Sequence, residues 1–208
     1  MRTVKEPEER KKEILDAAEK LFAERGYEAA TVNDILNAVK IAKGTFYYYF
    51  KSKEDVLDAL IEKRISEGAA KAGEIAASSL PPVQKLLAIM TAQKPQNQIQ
   101  EDFNAVLHEK DNAKMHQKSI TQYVLRLSPC LGKVVSEGIE AGIFSTPFPN
   151  ESAEILLSAA LVLFDDDYFQ WTKEEIAAKT KAFIIAMERV IGAESGSFSE
   201  FAKVFNKL

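Results

Sequence analysis

Apolar side chains recur every three or four residues in one segment after another of this chain, and no stretch shows a forceful period-two alternation. A chain patterned this way buries helical stripes and not sheet faces, so its fold class is all-α. The first stripe is Ile14, Leu15, Ala18, Leu21 and Phe22, with charges on the other faces. Gly26 supplies a left-handed stop, and Tyr27 packs back on the last turn. Thr31 and Asp34 read as a capping-box variant opening a second helix to about Ala38. A third helix begins near Ala42 and spaces Phe46 and Phe50 four apart; Ser52 and Asp55 cap a longer fourth, with Val56, Leu57, Leu60, Ile61 and Ile65 on one stripe.

The pattern continues to the far end. Pro81-Pro82 opens a helical segment with Leu86, Leu87 and Met90, and Gln93 to Gln100 reads as a loop. A short helix over Phe103 to Leu107 precedes a long one from about Met115 to Ile143, closed by Gly142. Pro147 and Pro149 punctuate the turn before an apolar helix over residues 153–164. Thr172 and Glu175 then form a capping box for a helix bearing Ile176, Phe183, Ile184, Met187, Val190 and Ile191.

With 208 residues the chain makes one large domain or two small ones, and 46% hydrophobic with 28% charged residues is globular composition. The apolar stretch from Ala153 to Phe164 is interrupted by Glu154 and Ser158 and falls short of the roughly 20 residues that span a bilayer. Mixed charges in the first twenty residues leave no signal peptide to read, and the single Cys130 allows no internal disulfide and no cysteine-rich zinc site. The expected setting is cytoplasmic, with no membrane partner and no cofactor. Residues 1–53 carry eleven basic against nine acidic side chains, and the remainder sixteen against twenty-two, within a net charge of −4. A slightly basic head on an acidic body suits a head that touches phosphate and a body that does not.

Two short helices joined by a tight turn describe a helix-turn-helix, whose second helix enters the major groove. Lys43 and Gly44 lie at the start of that helix, where free amides face a phosphate and glycine lets a backbone come close. Thr45, Tyr47, Tyr48 and Tyr49 project from faces the core does not need, while Phe46 and Phe50 bury inward. Tyrosine hydroxyls bond phosphate oxygens and their rings lie on sugars or thymine methyls. Lys51 and Lys53 follow, placed for backbone contacts.

Residues 31–57, TVNDILNAVKIAKGTFYYYFKSKEDVL, resemble the DNA-binding signature of the TetR family of transcriptional repressors, and the likeness extends over about residues 8–57. The resemblance implies an N-terminal three-helix head over residues 1–53 and an all-helical effector-binding and dimerisation domain over 54–208. It implies a dimer that binds a palindromic operator in double-stranded DNA and is released by a small-molecule effector. Carried over by position, it sets Thr31, Lys43, Thr45, Tyr47, Tyr48, Tyr49 and Lys53 against DNA, with Gly44 allowing the approach. Two positions depart from the family pattern: Lys40 stands where the turn usually has glycine, and Ala42 where serine or threonine usually caps the third helix.

Met90, Phe103, His116, Tyr123 and Trp171 are candidate effector-pocket residues, for a largely apolar or cationic molecule, since the acidic body offers no basic cluster. The helices over 153–164 and 173–191 are candidates for an intersubunit four-helix bundle, with Leu156, Leu163, Phe183 and Met187 at the homodimer interface. His108-Glu109, Asp111 and His116 do not make a paired metal-ligand spacing, and Asp165-Asp166-Asp167 reads as a solvated helix terminus, so no metal site is expected. Cys130 reads as a small buried hydrophobe. A hydrolase using His108 or His116, or a helical interaction module without DNA binding, are the competing classes. No nucleophile elbow or glycine-rich phosphate loop supports an enzyme.

Overall fold

The computed structural model describes residues 6–95, 97–107, 113–165 and 168–202. These form α1 (Pro7–Arg25), α2 (Val32–Val39), α3 (Lys43–Tyr49), α4 (Lys53–Ala76), α5 (Pro82–Ala92), α6 (Gln98–Leu107), α7 (Ala113–Glu140), α8 (Pro149–Leu163), α9 (Lys173–Ile191) and a 3-10 turn at Ser199–Phe201. No strand occurs among the described residues. His108, Glu109, Asp111, Asp166 and Asp167, raised above as metal candidates, lie outside them.

Two capping boxes read from the sequence open their helices, while α1 ends at Gly26 with a positive φ of 79° but a ψ of 157°, outside the left-handed helical conformation expected there. The Asp34 amide donates to Thr31 Oγ1 at 3.2 Å while the Thr31 amide donates to Asp34 Oδ2 at 2.9 Å, so two amides that the first turn of α2 cannot satisfy are satisfied reciprocally. Thr172 and Glu175 repeat the arrangement on α9, at 3.2 and 2.9 Å. α7 ends at Glu140, short of the expected Ile143, and two helix starts differ as well. α6 begins at Gln98, inside the expected loop, because Asn97 supplies a carbonyl and a side-chain oxygen to the Gln100 amide and starts the helix early. α8 begins at Pro149, well before its apolar stripe, since proline fits a first turn whose amide would be unbonded anyway.

The chain separates into two compact units that interleave along the sequence: residues 1–64 with 95–119, and residues 65–94 with 120–208. The unit holding α1 to α3 therefore extends past residue 53 to include the first half of α4 and all of α6. Its core is Ile14, Ala18, Phe22, Ile35, Phe46, Leu57, Leu60 and Phe103, each essentially without solvent exposure. Full burial of each Ile, Leu or Phe side chain among them contributes about 1.5–3 kcal/mol. Arg64 fastens this unit: its guanidinium donates twice to Glu19 Oε1 on α1, at 3.2 and 2.8 Å, and lies 4.4 Å over the Phe103 ring of α6.

The second unit packs Leu86, Ile89, Leu131, Val134, Val135, Phe144, Phe183, Met187, Ile191, Phe198 and Phe201 into one cluster. Buried Lys85 on α5 donates to both carboxylate oxygens of Glu137 on α7, at 2.8 and 2.6 Å. Buried Glu188 on α9 accepts from the amides of Gly196 and Phe198, at 2.8 and 3.2 Å, and holds the segment that carries Phe198 and Phe201 into the core. Pro129 lies within α7 at an exposed position and, lacking an amide proton, withholds the hydrogen bond that the Leu125 carbonyl would otherwise accept.

Candidate nucleic-acid interface

The turn between α2 and α3 is built by backbone geometry. Lys40 takes the left-handed conformation, φ 57° and ψ 48°, and is the one non-glycine residue with positive φ among those described. Its amide and that of Ile41, the latter at 3.1 Å, donate to the Leu36 carbonyl and end α2. Ala42 stands at the N-cap of α3 with no side-chain hydrogen bond. Both departures from the family pattern are thus real structural features: a strained lysine and an uncapped helix start.

α3 is held by Phe46 and Phe50, both buried, with ring centroids 5.9 Å apart. Turned the other way, Tyr47 and Tyr48 are 47% and 78% exposed, although a ring of that size gains most by burial. Lys43 is exposed with Nζ 5.8 Å from the Tyr47 ring centroid, and Lys51 is exposed beyond the end of the helix. Thr45 and Tyr49 are half-buried, Tyr49 meeting Tyr48 edge-on at 4.9 Å. Nothing lies within 4 Å of the place a Cβ on Gly44 would occupy, so the backbone there is open to a large partner. This gathers hydroxyls, aromatic faces, ammonium groups and bare backbone on one solvent-facing surface, the chemistry that contacts phosphates and base edges.

Two residues assigned to that surface do other work in the head. The exposed Thr31 donates its hydroxyl to Asp34 Oδ2 at 2.6 Å while accepting from the Asp34 amide, so the group is committed within the cap. Lys53 is half-buried, and its Nζ donates to the Tyr27 carbonyl at 2.7 Å and sits 4.1 Å over the Tyr27 ring. The residue that the resemblance sets against DNA thus turns its donors into the head in this structure.

In the second unit a cavity of about 50 Å³ is lined by apolar side chains of α5, α7, α8 and α9, among them Leu86, Met90, Leu131, Leu157, Phe183 and Met187. Of the five candidate pocket residues only Met90 lines it. Phe103 and His116 are buried in the first unit. Tyr123 is half-buried on α7; Trp171 donates Nε1–H to the Leu163 carbonyl at 3.0 Å, stacks on Phe169 and carries Lys179 Nζ 3.7 Å from its ring centroid. The cavity thus draws on one of the five. Aromatic and polar identity suggested them, whereas the cavity is made of aliphatic positions that periodicity alone cannot separate from solid core.

Phe183 and Met187, placed above at a subunit interface, are 6% and 5% exposed and belong to the chain's own core, so they have almost no surface left to offer a second copy. Leu156 and Leu163 are half-buried. The apolar surface of α8 and α9 lies instead at Ile155, Val162, Ile185 and Val190, which are 38–61% exposed.

Two family models match the chain. One describes bacterial regulatory proteins of the tetR family and matches residues 14–60; the other describes a tetracyclin repressor-like C-terminal domain and matches residues 92–185. The chain belongs to the TetR family. An uncharacterized HTH-type transcriptional regulator of Bacillus subtilis, YhgD, is 28% identical over 170 residues, covering 80% of this chain and 86% of that protein. The HTH-type transcriptional repressor KstR2 of Rhodococcus jostii is 42% identical over 82 residues, 39% of this chain and 40% of its own length. Among solved structures, Salmonella enterica GusR superposes with a TM-score of 0.62 at 19% identity, covering 91% of this chain and 99% of that one. As in its relatives' names, this TetR-family chain is a transcriptional regulator. No described helix is long and apolar enough to cross a membrane, and no group of three His, Cys, Asp or Glu among the described residues is close enough to hold a metal ion.

Proposed function

We propose that the protein is a repressor that binds a near-palindromic operator as a homodimer and is released by a largely apolar small molecule. The observation that carries the DNA reading is the two-sided α3: Phe46 and Phe50 anchor it, and Lys43, Gly44, Thr45, Tyr47, Tyr48, Tyr49 and Lys51 form the surface offered to the duplex. Tyr47 and Thr45 read base edges, while Lys43 and Lys51 neutralise phosphates. The effector reading is supported by the wholly apolar lining of the cavity between α5, α7, α8 and α9. At about 50 Å³ that cavity is far below the roughly 300–1,000 Å³ of drug-sized ligand sites, so an effector has to part these helices to enter. An apolar ligand that does so exchanges helix contacts for its own, which couples binding to a change of shape.

Selection from a random duplex pool tests the DNA reading. Enrichment of a two-fold symmetric sequence, with half-site centres roughly 34–36 Å or a multiple apart, is expected, and no enrichment over the starting pool would overturn it. Gly44→Ala gives a sharper check, because open space around Gly44 lets the free protein accept the methyl while a docked backbone would not. The variant is expected to fold normally and to lose operator affinity; equal affinity would remove Gly44 from the interface.

A further inference from the structure

Lys53, the first residue of α4, is joined to a segment 26 positions earlier in the chain. Its ammonium donates to the Tyr27 carbonyl at 2.7 Å and reaches the Glu28 carbonyl at 3.4 Å, and the same Nζ lies 4.1 Å from the Tyr27 ring centroid. An ammonium has three donors and no acceptor; two of them are directed at carbonyls, and the aromatic face lies against its charge. Tyr27 is itself fixed: it is buried and meets the ring of buried Phe22 edge-on at 5.2 Å. The two carbonyls belong to the turn after α1, three and four residues before the Thr31 cap that starts α2. On its own side Lys53 follows Phe50, Lys51 and Ser52, the exit from α3. The residue therefore ties the entrance of the helix-turn-helix to its exit.

We propose that Lys53 is a positioning residue of the DNA-binding head, which sets the placement of α2 and α3 through the Tyr27–Glu28 turn and does not neutralise a phosphate. This rests on the DNA-binding reading above. Phosphate contact then falls to the exposed Lys43 and Lys51.

Lys53→Met keeps the aliphatic stem and removes the ammonium; Lys51→Met is the comparison. Three quantities are measured on the full chain: amide exchange over residues 26–34 without DNA, affinity for a random-sequence duplex at a temperature where circular dichroism shows complete folding, and the dependence of that affinity on potassium chloride. Loss of a charged hydrogen bond is expected to speed exchange over residues 26–34 by about tenfold in Lys53→Met. Duplex affinity of the folded variant is expected to fall while the salt slope stays at the wild-type value. Lys51→Met is expected to lower the slope by about 0.9 with exchange unchanged, as loss of one phosphate contact does. A slope lowered by that amount in Lys53→Met overturns the proposal, as does unchanged exchange. Full affinity in a folded Lys53→Met would make the residue merely structural and overturn it too. Should the methionine variant fail to fold, Lys53→Arg keeps the charge, and the proposal requires faster exchange at an unchanged slope. Because the exchange arm contains no DNA, a wild-type protein that binds no duplex at all counts against the functional reading and leaves the Lys53 contact to be judged by exchange.

Discussion

A single lysine in the left-handed region shows how local strain is carried in this head. At φ 57° the Cβ of Lys40 crowds its own backbone, a cost on the order of 1 kcal/mol that glycine does not bear. Ala42 leaves the start of α3 uncapped, worth about another 1 kcal/mol. Lys40→Gly combined with Ala42→Ser is expected to stabilise the head by roughly 1–2 kcal/mol, read as slower amide exchange over residues 31–50 without DNA. Unchanged exchange would show that neither feature limits opening of the turn. Asp34 supplies a pH dependence on the same segment. Hydrogen bonds from the Thr31 side chain and backbone, with Arg25 nearby, hold its carboxyl below the ordinary value. A folded value below the unfolded one means that ionised Asp34 favours the folded cap. Its contribution is complete above roughly pH 4 and disappears as the pH falls through the lowered value. Exchange over α2 is expected to quicken on acidification from about pH 5 to pH 2.5 beyond the intrinsic rate change, and Asp34→Asn should abolish the excess. Tyr27, by contrast, is pushed up to about 12 by burial and by Glu54, Glu28 and Asp58, so it stays a neutral phenol throughout that range.

Between elements, the Lys85–Glu137 pair fixes α5 to α7 with a buried ammonium and a carboxylate 41% exposed. Removing the carboxylate strands a charge that water cannot reach. Glu137→Gln is expected to cost about 2 kcal/mol, below the roughly 3–5 kcal/mol of a fully buried pair because the carboxylate is partly solvated already. Adding Lys85→Met should restore much of the loss, since the stranded ammonium is then gone from a buried position. Urea unfolding of both variants measures this, and a double variant no more stable than the single would show that the pair itself is worth its desolvation. The cavity beside these helices has the opposite character, with no polar group to orient a ligand, so affinity there follows apolar volume and shape.

For the whole molecule, the decisive surface is the exposed apolar set on α8 and α9. Ile155 at 61% and Ile185 at 40% exposure, with Val162 and Val190 on the same two helices, leave apolar surface on α8 and α9 in contact with water. Burial against a second copy would remove them from water. Sedimentation of the wild-type chain at micromolar concentration is expected to give a dimer, and Ile155→Glu with Ile185→Glu a monomer that keeps its helical spectrum. A dimer unaffected by both charges would place the interface elsewhere. Phe183→Glu, in contrast, is expected to unfold the second unit, because that side chain fills the chain's own core.

Local chemistry was legible wherever it is decided within a few residues. Periodicity gave the helices, Thr31 with Asp34 and Thr172 with Glu175 gave two caps, and the run from Lys43 to Lys51 gave the face presented by α3, since spacing on one helix fixes which side chains share a side. Even the strain at Lys40 could be anticipated from the residue that stands there. Tertiary structure alone decided what depends on distant segments meeting. Lys53 reads as a free cation until Tyr27 closes over it; Phe103 reads as a pocket aromatic until Arg64 covers its ring in the first unit; Phe183 and Met187 read as an interface until α5 and α7 bury them. Periodicity names the apolar face of a helix, and only the packing of the other helices determines whether that face meets its own chain, a cavity or a second copy.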